Sequence, residues 1–185
     1  MKLHRVFPFD TGAAPTDRGG ALFVPTPSGL GRIDNPDLYD VLYVSASAHA
    51  AVAESFGRLA VWRPDTFVHG SGLPYALATY STPDDLPVFG LNDVDALKSI
   101  GVMRPTDVVT RNRETTQGWA RTIFSLGRYH GTVWWSYYNP EWPVLGLWER
   151  RELRLDGAPE IIRATSAVVQ EAAAAIVRQI AYRVR

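Results

Sequence analysis

The sequence predicts a single mixed α+β domain over residues 1–185, and three observations lead there. Short β-prone runs such as Thr132–Tyr138 are separated by Pro- and Gly-rich punctuation. A few helical stretches stand among them, most with a residue suited to capping the start. A chain of 185 residues fits one domain, and it can bury roughly 70% of its unfolded surface without a metal or disulfide staple.

Leu3 to Phe7 alternates enough for a first strand, stopped by Pro8. Phe9 to Pro36 is rich in Gly, Pro, Thr and Asp, with a short apolar island at Leu22–Val24; irregular segments of this length inside a compact domain usually carry function or stay disordered. Val41 to Val44 reads as a short buried strand. Ser45 or Ser47 then caps an alanine-rich helix to Phe56, where Gly57 offers a stop. Residues 60–92 read as strands and turns, with Tyr75–Tyr80 the main apolar run. Asp93 caps a short helix ending near Gly101, Val108–Thr110 is strand-like, and Asn112 or Thr115 opens a helix to about Leu126. Thr132–Tyr138 and Val144–Glu149 are further strands. A last helix starts after Thr165 or Ser166 and runs almost to Arg185, with Val169, Ala173, Ile176, Ile180 and Val184 on one face.

Composition narrows the chemistry. There is no Cys, which excludes disulfide scaffolds, thiolate metal sites and cysteine nucleophiles. Nineteen basic and nineteen acidic residues cancel, with no basic run, so direct nucleic-acid binding is not expected. All the basic residues except Lys2 and Lys98 are arginines, whose rigid fork suits phosphate. Residues 1–10 lack the apolar run of a signal peptide, and no stretch approaches eighteen apolar residues; a soluble, cytoplasmic protein is expected. His4, His49, His69 and His130 are scattered without zinc-binding spacing, so no metal is expected. No Gly-x-Ser-x-Gly elbow surrounds Ser71, and Gly29-Leu30-Gly31 is too little for a dinucleotide fingerprint.

One constellation remains. Arg32 ends the glycine-rich loop, Tyr43 sits on the following strand, and Glu54 lies in the helix after that. Such a succession can point all three into one cleft, with Arg32 on a phosphate, Tyr43 on a flat ring and Glu54 beside a cationic centre. The plainer expectation for each is a solvated Arg, a core Tyr and a surface Glu. Glu54 departs from it, because it follows Ala50-Ala51-Val52-Ala53 and a carboxylate in so apolar a helix is either partnered or functional.

These residues carry a resemblance. Leu3-His4-Arg5-Val6, Gly31-Arg32, Val41-Leu42-Tyr43-Val44-Ser45-Ala46-Ser47 followed by Ala50-Ala51-Val52-Ala53-Glu54, and Gly131-Thr132-Val133-Trp134-Trp135-Ser136 occur in the order of the RES-domain family, named for an arginine, a glutamate and a serine. The chain resembles that family from Arg5 to about Glu149. It departs at Leu30, Ile33 and Asp34, where the family usually has Gly, Trp and Asn. The resemblance implies an ADP-ribosyltransferase-like fold, a split and mostly antiparallel sheet with flanking helices. It implies an enzyme that consumes NAD as substrate without a metal, the toxin of a toxin–antitoxin pair held by an Xre-like antitoxin. Glu54, Arg32 and Tyr43 would then be catalytic. Arg5 and Arg32 would take the pyrophosphate, Tyr43 would stack on nicotinamide or ribose, and Ser136 would hydrogen-bond the nicotinamide side.

Two other readings compete. The aromatic-rich segment 134–142 suits a non-catalytic binding module, although buried core is the commoner use of aromatics. The second is an antitoxin-like or homo-oligomer-forming partner protein with the last helix as its docking face, although core packing explains that face better.

Overall fold

The computed structural model describes residues 1–25, 29–104, 107–108 and 110–183. In chain order it contains β1 (Lys2–Pro8), β2 (Leu42–Ser45), α1 (Ala48–Phe56), β3 (Val61–Trp62), a 3-10 helix (Pro64–Phe67), β4 (Tyr75–Ser81) and β5 (Val88–Gly90). There follow α2 (Val94–Ser99), α3 (Arg113–Ser125), β6 (Gly131–Trp135), β7 (Pro143–Leu147), β8 (Arg154–Leu155), β9 (Glu160–Ile161), α4 (Ala167–Ala175) and β10 (Gln179–Ile180).

The main sheet runs β5-β6-β7-β2-β1-β4-β8, with β9 also on β4; β3 and β10 form a separate parallel pair. Within the main sheet only β5–β6 is parallel among the described pairs. β1 is paired with β4 along its whole length, from Lys2↔Ser81 to Pro8↔Tyr75, but meets β2 only at His4↔Ser45. The sheet is therefore split: two well-knit halves hinge on one pair, and they part where the cleft described below opens. The expectation of an α+β fold with a split, mostly antiparallel sheet and flanking helices holds.

Strand alternation sorts side chains between two faces. On one, Leu3, Phe7, Leu42, Val44, Ala78, Tyr80, Leu145 and Leu147 make a buried cluster. On the other, α1 lies against β1 and α4, and Val52, Ala53, Phe56, Trp62, Val169 and Ala173 bury one another. A third cluster of Ile33, Val41, Phe89, Ile123 and Trp134 packs α3 and the 33–41 loop on the far half of the sheet.

The local signals for α1 held. Ser47 caps it, accepting the Ala50 N–H at 3.1 Å, and its last residue is Phe56. Gly57 is needed there for clearance rather than handedness: its φ is −61°, and a Cβ would collide with the Tyr138 ring. Asp93 and Asn112 cap α2 and α3 as their sequences predict.

Three elements differ from expectation. The last helix stops at Ala175; Val177 turns the chain at φ 54°, and Gln179–Ile180 form a strand on β3. Ile176 and Ile180 keep the apolar period because they pack on the same core, not because one helix carries them; Val184 lies outside the described residues. Val108 sits in a short 3-10 turn rather than a strand, and Val109 lies outside the described residues. The strand expected to reach Tyr138 ends at Trp135, because Ser136 turns its hydroxyl to the Tyr138 N–H at 3.1 Å.

Candidate functional site

The split in the sheet opens into a cleft of about 930 Å³. Arg5, Arg32, Tyr43 and Glu54 all line it, from β1, the 29–34 loop, β2 and α1. Trp134, Tyr137 and Tyr138 close another side. The fifth predicted residue, Ser136, is 2% exposed and lies behind Glu54 rather than on the wall.

Glu54 is carried on the last turn of α1, whose Ala50, Ala51 and Ala53 are buried while the carboxylate lines the cleft. The Ser136 hydroxyl donates to Glu54 Oε1 at 2.5 Å, bridging from the end of β6. That bond fixes one carboxylate oxygen. The apolar helix around Glu54 is thus accounted for by a partner and by an open face on the cleft.

Tyr43 projects from β2 on the same face. Its hydroxyl donates to Asp34 Oδ1 at 2.6 Å and accepts the Ile33 N–H at 3.3 Å, and Asp34 Oδ2 accepts the Gly31 N–H at 2.8 Å. Asp34 is 6% exposed. Gly31 is obligatory, since a Cβ would strike both the Tyr43 hydroxyl and the Asp34 carboxylate. Burial, and then the bond to Asp34, hold the Tyr43 phenol far above its ordinary pKa. Its proton stays on the oxygen and points at Asp34, so Tyr43 offers a ring face rather than an acid or base. Trp134 meets that ring edge-on at 6.3 Å.

The same loop presents Arg32. Its Nη1 donates to the Val108 carbonyl and, at 3.4 Å, to that of Thr110; the Thr116 hydroxyl donates to the Arg32 carbonyl at 2.6 Å. Gln117 Nε2 donates to the Gly29 and Gly31 carbonyls at 2.7 and 2.9 Å. Helix α3 therefore holds the loop from outside while Asp34 and Tyr43 hold it from within. Burial first and the nearby Arg113 charge second lower the Arg32 pKa, with Glu54 opposing.

Arg5 has another position. It shares the face of Leu3 and Phe7, its guanidinium carbon lies 5.5 Å from the Phe7 ring centre, and Nη1 donates to the Ala21 and Phe23 carbonyls at 3.1 and 2.7 Å. It borders the cleft from the sheet face opposite Tyr43 and pins the 21–23 segment there. Sequence reasoning did not single out Arg111 or Arg113, which also line the cleft; the Arg-Asn-Arg spacing at the start of α3 was the available signal. Asp34 stood out only as a departure from the family loop. Among the described residues there is no group of three or more His, Asp or Glu side chains that would hold a metal, and no helix long and apolar enough to cross a membrane.

Fold and site together define an α+β protein whose split sheet frames an arginine- and carboxylate-lined cleft. The RES domain family model matches residues 2–176, and the chain belongs to the RES-domain family. No curated protein matches it. Among solved structures, the crystal structure of the M. tuberculosis MbcT–MbcA toxin–antitoxin complex is similar in fold, with a TM-score of 0.57 and 19% identity over 94% of this chain and 88% of that one.

Proposed function

We propose that this protein consumes NAD by breaking the bond between nicotinamide and ribose, and that it is the toxin of a toxin–antitoxin pair. The observation that carries the reading is Glu54, tethered at 2.5 Å by Ser136 and open to the cleft that Arg32 and Tyr43 also line. In this reaction the C–N glycosidic bond breaks, nicotinamide leaves with the bonding pair as a neutral molecule, and positive charge builds on the ribose. A fixed carboxylate beside that charge stabilises the transition state more than the ground state. The acceptor oxygen, from water, phosphate or a protein side chain, then bonds to the ribose carbon and gives up its proton.

The remaining residues bind and orient. Arg32 takes the pyrophosphate by charge-assisted hydrogen bonds. Tyr43 packs its ring on nicotinamide or ribose, with its hydroxyl committed to Asp34. Ser136 acts through Glu54 as a positioning residue. Tyr137, 78% exposed, lines the cleft beside the half-buried Tyr138, which supports a role for these tyrosines of segment 134–142 in this cleft rather than on a separate binding face. An Xre-like antitoxin is the proposed partner, which family membership and the toxin–antitoxin neighbour support. Incubating the purified protein with NAD and resolving the products tests the reading. Free nicotinamide is expected, and the ADP-ribose product identifies the acceptor; intact NAD after prolonged incubation would overturn it.

A further inference from the structure

Residues 177–183 help to form a second concave surface, none of whose lining residues borders the cleft. After α4 the backbone turns at Val177, a β-branched residue held at φ 54°, where side chains of that shape are strained. Arg178 holds the turn, its Nε donating to the Gly57 carbonyl at 2.8 Å and its Nη1 to that of Ile176 at 2.9 Å. The turn lays β10 beside β3, with the Gln179 N–H on the Ala60 carbonyl at 3.2 Å and the Ala181 N–H on that of Trp62 at 2.8 Å. Backbone groups alternate along a strand, so Ile180 and Tyr182 direct theirs to the other side. No strand pairs there among the described residues. β10 is therefore an open sheet edge, and it lies beyond residue 176, where the family match ends.

The face beside that edge carries charge of one sign. Trp62 and Ile180 pack into the core, which leaves Val61, Arg63, Gln179, Ala181 and Arg183 around a groove of about 550 Å³. No carboxylate lines it, and neither Arg63 nor Arg183 has an acidic partner among the described residues. From Arg178 to Arg185 the sequence has three arginines and no Asp or Glu. Tyr182, 60% exposed, adds an apolar wall.

We infer that this edge and groove dock an extended acidic segment of a partner protein, which adds as a strand beside β10. The unpaired N–H and C=O groups of the edge match another backbone, and acidic side chains on the outer face of the added strand reach Arg183 and Arg63. A nucleic acid has no alternating row of donors and acceptors to meet the edge. A second copy of this chain would bring the arginines of one edge onto those of the other, which disfavours self-pairing.

The probe is a short end-capped peptide of alternating Glu and Val, and its counterpart has Lys in place of Glu. With isotope-labelled full chain at low salt, the acidic peptide should shift the Ile180 and Tyr182 amide signals in NMR spectra. It should bind at least about tenfold more tightly than the Lys peptide, with the gap narrowing as salt rises. Arg63→Glu/Arg183→Glu should reverse the preference. Tyr182→Pro is the second variant: it removes an outward N–H at an exposed position, so it should weaken the acidic peptide several-fold while leaving Tm unchanged. Equal binding of the two peptides, no shift with either, or a Tyr182→Pro protein that binds like the parent would overturn the inference. So would tighter binding of an oligothymidylate than of the acidic peptide, or a concentration-dependent dimer that shifts the same amides.

Discussion

Replacing Asp34 with Asn probes the loop that presents Arg32. The carboxylate accepts two hydrogen bonds in a nearly closed setting, from the Tyr43 hydroxyl at 2.6 Å and from the Gly31 N–H at 2.8 Å. An amide has one acceptor and one donor in those places. With its oxygen toward Tyr43, its NH2 faces the Gly31 N–H, donor against donor; turned round, the Tyr43 proton loses its acceptor. Each arrangement forfeits one hydrogen bond to a charged group and leaves a donor unpaired, which costs about 2–4 kcal/mol. For a domain of this size that is a fall in Tm of about 5–15 °C. The turn at Gly31 is closely packed, since a Cβ there would strike both the Tyr43 hydroxyl and the Asp34 carboxylate. Substitution toward the Asn usual in the family would ordinarily be expected to stabilise, so the two lines of reasoning predict opposite signs. Calorimetric melting of parent and Asp34→Asn, with Tyr43→Phe as a milder control, decides between them. A Tm within about 1 °C of the parent, or above it, would refute the two-acceptor account.

Ser136→Ala removes the donor to Glu54 and the acceptor for the Tyr138 N–H, so it should cost about 1–3 kcal/mol in stability, read by denaturant melting. It should also lower kcat for nicotinamide release more than it raises KM, because it loosens Glu54 without touching the phosphate-binding arginines. Burial, reinforced by His49 and Lys2, lowers the His4 pKa below its ordinary 6.5, so the unfolded chain takes up this proton more readily than the folded one. Its share of stability is complete above about pH 6.5 and is lost as pH falls through the lowered value; the acid-side decline of Tm should be shallower in His4→Asn.

The parts of the fold legible in the sequence were those decided within a few residues. Ser47, Asp93 and Asn112 cap their helices through N–H groups two or three positions on, which a linear reading sees directly. β8, β9 and β10 were not legible. Each is two residues long and exists through a distant partner, as Ile161 does through Ala76 and Ile180 through Trp62. The apolar period that suggested a helix nearly to Arg185 was real burial, continued by a turn at Val177 and a strand. In the site, Glu54 stood out because its neighbours are alanines. Asp34 and Arg113 did not, since their partners Tyr43 and Leu30 reach them only in the folded chain.

The central claim rests on the charge of Glu54, and one paired measurement addresses it: nicotinamide release from NAD and NAD affinity, for the parent and for Glu54→Gln. Gln keeps the size of the side chain and an acceptor for the Ser136 hydroxyl but removes the negative charge that favours a cationic ribose. Release should fall roughly a hundred- to a thousandfold, about 2.7–4 kcal/mol of transition-state stabilisation, while affinity and Tm stay close to the parent's. Release at the parental rate from a folded Glu54→Gln protein would contradict the account.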